Sequence, residues 1–216
     1  MPKKIKEQKE EKEINDALDE LNEKSVKPDP FWKATGLFVL EVTKIIIISL
    51  AIIIPIRYYL IQPFYVKGAS MEPTFHDYEY LIIDEISYRI NDPHRGDIIV
   101  LKDPRNKSQF FIKRIIGLPG ETITIKSGTV TITNTTHPEG VNLDESVYLD
   151  EAIYTSGNID VKLDADKYYV MGDNRGSSLD SRIIGPIGEE NIVGRAWVRA
   201  WPFNKLTHFD LPIYII

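Results

Sequence analysis

The sequence has no cysteine among its 216 residues and no excess of positive charge. Without cysteine the protein forms no disulfide, which fits an extracytoplasmic domain that needs none and equally fits a cytosolic protein. Its formal net charge of −6 argues against the basic surface that nucleic-acid binding requires. The four histidines form no cluster with acids at metal-ligand spacing. We therefore expect no nucleic-acid partner, no metal and no cofactor.

One long apolar segment lies near the N-terminus. Residues Gly36 to Ile61 are mostly Leu, Ile and Val, but the uncharged centre, Ile45 to Ile56, is short. A membrane-spanning helix needs about 20 mostly apolar residues, so Glu41 and Lys44 must belong to it, with Lys44 reaching toward the interface. Apolar residues on every face favour a membrane helix over a buried helix of a soluble protein.

The charge distribution around this segment predicts its topology. No Ala-x-Ala-like site follows the apolar run, which favours an uncleaved signal anchor over a cleaved signal peptide. Orientation follows Lys and Arg, and the stretch from Met1 to Lys33 carries eight lysines, which places this end in the cytoplasm. We expect a cytoplasmic charged tail (1–35), a transmembrane signal anchor (36–61) and an extracytoplasmic domain (62–216).

The segment after the apolar run is long enough for one domain and is predicted to be mainly β. Ser127-Gly128 separates two alternating runs and is a two-residue hairpin signal. Residues 134–166 are polar and lack motifs, which indicates an inserted ribbon or loop. The predicted strands are Tyr80 to Asp84, Asp97 to Leu101, Phe110 to Gly117, Thr122 to Lys126, Thr129 to Thr133, Lys167 to Met171 and Ile192 to Trp201.

Two residues in this domain suggest acyl-transfer chemistry. Ser70 lies in the small-residue turn from Gly68 to Thr74, only a few residues after the apolar run, although serine is also a common turn residue. Lys113 lies in a strand-like apolar run, and because strand side chains alternate, Arg114 and Lys113 face opposite sides. Burial lowers the pKa of a lysine, so Lys113 could take a proton from Ser70.

Several blocks in order carry a resemblance to a known family. These blocks are Ser70-Met71-x-Pro73-Thr74, Arg95-Gly96-Asp97, Lys113-Arg114-x-x-Gly117-x-Pro119-Gly120-Glu121, Gly172-Asp173-Asn174-Arg175 and Asp180-Ser181-Arg182. With them the sequence resembles the bacterial type I signal peptidases, which cut signal peptides from exported proteins at the outer face of the plasma membrane. The resemblance extends from the apolar segment through Arg199.

The resemblance implies roles for individual residues. It makes Ser70 the nucleophile, Lys113 the general base and Ser178 the residue that orients the lysine amine. It also implies structural ion pairs beneath the site, made by Arg114, Asp173, Asp180 and Arg182. The Ser70 backbone N–H is one candidate oxyanion donor. Some family members have a serine two residues before the nucleophile as a second donor, and this chain has Gly68 there, which leaves the second donor open.

The resemblance also implies how substrate binds. A signal peptide with small side chains before its cleavage point would add as an extended strand beside the segments that carry the dyad. The residues implied to line the substrate pockets are Val66, Lys67, Gly68, Met71, Phe75, Phe111 and Ile112. Core packing is the alternative role for Val66, Phe75 and Ile112. The family varies widely in the size of the segment equivalent to 134–166.

Two alternatives remain open from sequence. Ser70 could be paired with His76, whose neighbour is Asp77, since catalytic triads are defined by geometry and not by sequence position. A membrane-tethered β domain that binds exported polypeptides would have Ser70 and Lys113 as structural residues only. A self-cleaving repressor shares Ser/Lys chemistry, but the acidic charge and the lack of a DNA-binding module disfavour it.

Overall fold

The structure is a computed structural model that describes residues 11–20, 31–55, 62–150, 152–209 and 214. Residues 1–10 and 21–30 of the expected tail and residues 56–61 of the expected anchor lie outside the described residues. The chain divides into two compact units, residues 1–52 and 53–216. Each unit is described separately below.

The first unit is helical. Residues 11–20 form helix α1, and Phe31–Pro55 form the 25-residue helix α2. Helix α2 begins at Phe31, five residues before the expected transmembrane segment, whose bounds stay a prediction. Within α2, Thr35–Pro55 has a mean hydropathy of 2.6 and is long and apolar enough to cross a membrane.

The second unit is mainly β, as predicted. Its strands are β1 (Gln62–Tyr65), β2 (Tyr80–Asp84), β3 (Ile98–Asp103), β4 (Asn106–Gly117), β5 (Thr122–Lys126), β6 (Thr129–Thr133), β7 (Val141–Asn142), β8 (Ile159–Lys162), β9 (Lys167–Met171), β10 (Ile187–Gly188), β11 (Ile192–Trp201) and β12 (Thr207–His208). They form an eight-stranded sheet in the order β1-β2-β11-β3-β4-β9-β10, with β12 on β11. All described pairings are antiparallel.

The second sheet has four strands in the order β7-β6-β5-β8. Ser127 and Gly128 connect β5 to β6, and both have positive φ, as a two-residue hairpin turn of this kind demands. Residues 134–166 were expected to be an inserted ribbon or loop. They supply β7 and β8, which pair with β6 and β5, so part of this segment is built into the sheet.

Three clusters of buried side chains form the core of the β domain. One lies on the four-stranded sheet and contains Ile123, Ile132 and Tyr169 among others. Another packs Phe75 and Met71 against the large sheet. Strands β3 and β4 are the longest pairing in that sheet, and they hold the apolar run that contains Lys113 in the middle of the domain. Helix α3 spans Ser181–Ile184. Asp180 precedes it as the N-cap, and its side chain accepts a hydrogen bond from the Arg182 N–H.

Candidate active site

Ser70 lies at the start of a tight turn between β1 and β2. The Phe75 N–H donates to the Met71 carbonyl at 2.9 Å, so Met71 and Phe75 project from the same side of the turn. Both side chains are completely buried in the core. Neither residue is among those that line the groove beside Ser70, which is described below, and their role in substrate binding stays a prediction. Their burial holds Ser70 half-buried at the rim of the domain.

Lys113 reaches Ser70 from β4. Its Nζ donates to the Ser70 Oγ at 2.7 Å and to the Ile112 carbonyl at 2.7 Å. The residue pairs with Ile99 of β3, in a part of the sheet where both strands are buried. Only 3% of Lys113 is exposed. The amine therefore lies in a largely dry environment with the serine hydroxyl as one of its two partners.

Burial changes the proton affinity of this amine. It disfavours the charged ammonium and lowers the pKa of Lys113 from 10.5 to about 8, while the carboxylates of Asp180 and Asp173 partly oppose the change. With a pKa near 8, roughly a tenth of the lysine is uncharged at pH 7, against well under a thousandth of a free lysine. The site thus contains an amine that can accept a proton near neutral pH.

Arg114, the next residue in β4, forms a buried ion pair beside the dyad. Its guanidinium makes two hydrogen bonds to Asp173, at 2.9 and 2.7 Å, and a third to the Gly96 carbonyl at 3.0 Å. Asp173 also accepts a hydrogen bond from the Thr74 hydroxyl at 2.5 Å. Both charged side chains are buried. This pair therefore links β4 and the segment after β9 to the turn that carries Ser70.

Asp180 forms the second buried ion pair. Arg182 donates to it at 2.9 and 2.8 Å, and the Gly172 N–H donates to it at 3.0 Å. Burial alone would raise the pKa of Asp180, but the hydrogen bonds from Arg182 and Gly172 outweigh it and lower the pKa below its usual range. Asp180 therefore remains ionised and holds the two ends of the loop 172–180 together.

The loop 172–180, which follows β9, packs directly on the nucleophile turn. The Asn174 N–H donates to the Ser70 carbonyl at 3.1 Å, and its side-chain amide donates to the Ala69 carbonyl at 3.0 Å. Gly172 lies so close that an added Cβ would overlap the Ser70 carbonyl oxygen and the Ser178 Oγ. The Ser178 hydroxyl is buried, and it lies beside the Asp180 carboxylate, whose pKa it helps to lower.

The backbone around Ser70 bears on the oxyanion donors. Within the described residues the Ser70 N–H makes no hydrogen bond, whereas the Gly68 N–H donates to Asp77 at 2.9 Å. Gly68 has φ +92°, a left-handed conformation that glycine adopts without strain and serine does not. The local backbone therefore explains why glycine stands here, and it directs the Gly68 N–H to a carboxylate.

A groove opens beside the dyad. It is lined by Phe64, Tyr65, Val66, Lys67, Ser70, Leu81, Val100, Phe110, Phe111, Ile112 and Lys113. Four of the residues expected from sequence are among these: Val66, Lys67, Phe111 and Ile112. Gly68 is exposed and is not part of the lining. The Phe111 ring lies 5.5 Å from the Lys113 Nζ, and Phe64 contacts Phe110 edge to face.

His76 does not approach the nucleophile. Its Nδ1 lies 3.8 Å from Glu79, and about half of its side chain is exposed. Its neighbour Asp77 accepts the Gly68 N–H instead of orienting an imidazole. The geometry therefore favours Lys113 over His76 as the partner of Ser70.

A serine hydroxyl bonded to a buried amine on a β domain defines a serine peptidase of the Ser/Lys type. Residues 39–201 match the model of the family described as signal peptidase, peptidase S26. Signal peptidase I of Leptolyngbya laminosa is 38% identical over 180 residues, which cover 80% of this chain and 85% of that protein. The chain belongs to the signal peptidase family, peptidase S26.

Two further comparisons are available. Signal peptidase I of Bacillus licheniformis is 36% identical over 188 residues, which cover 82% of this chain and 96% of that protein. A crystal structure of a signal peptidase I from Enterococcus faecalis aligns with 49% of this chain and 97% of its own, at 30% identity and a TM-score of 0.40. This chain thus spans most of the length of the Leptolyngbya and Bacillus proteins.

Sequence reasoning missed several residues that the structure brings to the site. Phe64, Tyr65 and Phe110 line the groove, but β1 is too short to show a strand pattern and Phe110 lay at the edge of a predicted strand. Glu145 and Tyr148 lie in the segment that was judged to lack motifs. No local pattern identifies them, since their partners, Arg175 and Arg114, are 30 or more positions away.

Proposed function

We propose that this protein is a membrane-anchored signal peptidase that removes N-terminal signal peptides from exported preproteins after small-x-small sites. Ser70 is the nucleophile and Lys113 the general base. The observation that carries the proposal is the 2.7 Å hydrogen bond between the Ser70 hydroxyl and the buried Lys113 amine. Family membership adds the substrate class, since the relatives are named signal peptidase I.

The reaction follows from this geometry. Uncharged Lys113 takes the proton of the Ser70 hydroxyl as the Oγ attacks the scissile carbonyl carbon. When the C–N bond breaks, the ammonium returns a proton to the leaving amine, and the preprotein's N-terminal segment stays on Ser70 as an ester. Lys113 then takes a proton from water, the resulting hydroxide attacks the ester carbonyl, and the Ser70 oxygen leaves with a proton from the lysine.

The negative charge that develops on the carbonyl oxygen requires a donor already in place. The Ser70 N–H is assigned this role, and its lack of another acceptor in the described residues supports the assignment. The Gly68 N–H is engaged with Asp77, so a second donor from this residue would need that hydrogen bond to break. A second oxyanion donor from another group around the turn would leave the hydrogen bond between Gly68 and Asp77 intact.

Ser178 is assigned the role of orienting the lysine amine. Its buried hydroxyl supports this, since it packs against Gly172 next to the Ser70 carbonyl and is a hydrogen-bond partner of Asp180, whose charge acts on the Lys113 amine. The pairs of Arg114 with Asp173 and of Arg182 with Asp180 are assigned a structural role. They hold three separate segments of the chain at the distances that the proton transfers require.

Substrate is proposed to bind as an extended strand beside the dyad. In β4 the residues before Arg114 pair only with β3, because β9 pairs with Arg114 to Gly117. Strand β1 pairs only with β2. Both therefore offer free backbone groups at the groove, and its apolar lining suits small apolar side chains before the cleavage point. Val66, Lys67, Phe111 and Ile112 are the lining residues that sequence and structure share.

The membrane arrangement belongs to the same proposal. Helix α2 crosses the bacterial plasma membrane once, with the lysine-rich N-terminal tail in the cytoplasm and the β domain on the outer face. The length and hydropathy of Thr35–Pro55 and the eight lysines from Met1 to Lys33, which determine orientation irrespective of the acids, support this topology. Substrates emerging from an export channel would meet the dyad on that side.

The test is cleavage of a preprotein by the full chain in detergent or lipid, with product masses locating the cut. The wild type is expected to cut after a small-x-small site, and Ser70→Ala is expected to lose more than about 1,000-fold in turnover. Ser108→Ala, an exposed serine of β4, is the matched control and should cleave normally. A wild type that binds the preprotein without cutting it would instead favour the binding-domain alternative.

A further inference from the structure

A short turn in the segment 134–166, which contains Glu145 and Tyr148, contacts Arg175, a buried arginine of the loop 172–180. Arg175 is 1% exposed. It donates to the two carboxylate oxygens of Glu145, at 2.7 and 2.5 Å, and to the Thr155 hydroxyl at 2.6 Å. Its Nε donates to the Gly172 carbonyl at 3.1 Å. Glu145 and Thr155 both come from the segment that sequence analysis treated as a variable insert, and they satisfy most of this guanidinium.

The same turn contacts the other buried arginine next to the dyad. Tyr148 lies one turn after Glu145, and its N–H donates to the Glu145 carbonyl at 3.1 Å. Its hydroxyl donates to the Glu145 carboxylate at 2.6 Å, and burial raises the pKa of this phenol so that it stays protonated. Its ring lies 3.9 Å from the Arg114 guanidinium, in cation–π geometry. One turn therefore contacts both Arg175 and Arg114.

Two short series of contacts connect this turn to the dyad. Arg175 holds the Gly172 carbonyl, and Gly172 is packed against the Ser70 carbonyl and Ser178. Arg114 follows Lys113 in β4 and binds Asp173, which bonds the Thr74 hydroxyl in the nucleophile turn. A displacement of Glu145 would therefore shift Gly172, which packs against Ser70, and Arg114, which adjoins Lys113.

The charge balance makes Glu145 more than a packing residue. Arginine cannot lose its proton, so a buried Arg175 without its carboxylate would leave an uncompensated positive charge inside the domain. The charged groups that act on Lys113 are Asp180 and Asp173, and Arg175 in turn interacts with Glu145 and Asp173. Arg114 is paired with Asp173, and Arg182 with Asp180. In the intact protein each of these arginines has a carboxylate partner.

We propose that Glu145 is a positioning residue of this peptidase. It acts through Arg175 and Tyr148 to hold the loop 172–180 and Arg114 against the dyad. The segment 134–166 is then a working part of the active site. This inference rests on the proposed function for its kinetic consequences. Glu145 itself touches neither substrate nor the reacting atoms.

The test compares Glu145→Gln, which keeps the side-chain shape and removes the charge, with Asp144→Asn. Asp144 is the neighbouring residue, has the same charge, and bonds only Ser146 in the described residues. Glu145→Gln is expected to lower kcat for preprotein cleavage by about 10- to 100-fold with little change in KM. Its kcat should also titrate at a lower pH than in the wild type, because the uncompensated positive charge of buried Arg175 disfavours the Lys113 ammonium. Asp144→Asn should behave as wild type.

A merely structural role would predict a different result. A loosened fold would reduce the amount of active enzyme at every pH without moving the titration midpoint, and that outcome would overturn the proposal. An unchanged kcat in Glu145→Gln would overturn it as well. If Glu145→Gln does not fold, Tyr148→Phe keeps the ring over Arg114 and removes only the hydroxyl contact, and it should reproduce the shift in smaller measure.

A readout independent of turnover separates this inference from the proposed function. The rate at which an amine-reactive acetylating reagent modifies Lys113, followed by mass spectrometry across pH, reports the protonation of that lysine directly. The midpoint should fall in Glu145→Gln and stay in place in Asp144→Asn. A shifted midpoint in a protein that cleaves no preprotein would support the Glu145 contact and reject the peptidase. An unshifted midpoint would reject the Glu145 contact alone.

Discussion

Ser70 and Lys113 are 43 positions apart in the sequence, and 2.7 Å separates the Ser70 Oγ from the Lys113 Nζ. The two atoms meet because a turn anchored by buried Met71 and Phe75 faces the middle of β4. The lysine stands in a buried part of the sheet, and among the described residues its amine has one other hydrogen-bond partner, the Ile112 carbonyl. The predictions below follow from this arrangement.

The identity of the base is tested by replacing each candidate. Lys113→Met should reduce preprotein turnover by more than about 1,000-fold, because no other described group is placed to accept the Ser70 proton. His76→Gln should keep turnover within about twofold, since His76 faces Glu79. Lys126→Met, at the exposed end of β5, controls for loss of a lysine. Loss of activity in His76→Gln with activity retained in Lys113→Met would transfer the role of base to the histidine.

The close packing of Gly172 predicts a steric effect. Gly172→Ala should lower kcat by about 100-fold or more, because the added methyl displaces the Ser70 carbonyl or the Ser178 side chain. Gly176→Ala lies in the same loop with space around it and should retain activity. Equal activity of the two variants in a preprotein cleavage assay would mean that the loop does not fix the nucleophile turn.

The orienting role of Ser178 makes a kinetic prediction. Ser178→Ala should reduce kcat by about 10- to 100-fold and leave KM nearly unchanged, because an amine without its orienting partner aligns poorly for proton transfer. Ser177→Ala, the exposed neighbour, is the control. Steady-state kinetics on a signal-peptide substrate separate the two parameters. A Ser178→Ala enzyme with wild-type kcat would show that Lys113 needs no help from this hydroxyl.

Burial of Lys113 should cost stability. The depressed pKa corresponds to roughly 3 kcal/mol, so Lys113→Met should raise the free energy of unfolding at pH 7 by about 1–3 kcal/mol. Between pH 8 and 10.5 the unfolded state binds more protons than the folded state, so wild-type stability rises with pH across this window. The advantage of the variant should be full below pH 8 and should fade toward pH 10.5.

Chemical denaturation of the full chain in detergent at several pH values measures this difference. Lys126→Met should leave the free energy of unfolding within about 0.5 kcal/mol of the wild type. A Lys113→Met variant less stable than the wild type at pH 7 would mean that the ammonium is well compensated in the folded state. The conclusion that burial lowers the pKa of Lys113 would then be wrong.

Much of the fold could be predicted because its strongest signals are local. The hairpin of β5 and β6 was predicted with its observed bounds, since two alternating runs flank a Ser-Gly turn. Strand β4 starts at Asn106 and not at Phe110, because its polar first residues extend the hairpin with β3 beyond the core. The strands β1, β7, β8, β10 and β12 have four residues or fewer, too few for a periodic pattern to appear.

Without the family resemblance, which also implied the ion pairs of Arg114 with Asp173 and of Arg182 with Asp180, the site could be predicted only where a residue is unusual in its own segment. A lysine inside an apolar run and a serine in a small-residue turn are unusual, and the structure brings these two together. The contact of Glu145 with Arg175 has no such local mark, because an acid in a polar loop is ordinary. Its importance comes from a buried partner that only the tertiary fold reveals.

The central claim is that uncharged Lys113 takes the proton of Ser70. The most direct test is the pH dependence of kcat/KM, which reports the pKa of the free enzyme, for preprotein cleavage by the wild type between pH 6 and 10. Activity should rise with a single titration near pH 8, the pKa that burial imposes on Lys113, and then remain level until the protein unfolds. A rate that is constant across this range, or one that titrates near 6.5 as an ordinary histidine does, would contradict lysine as the base.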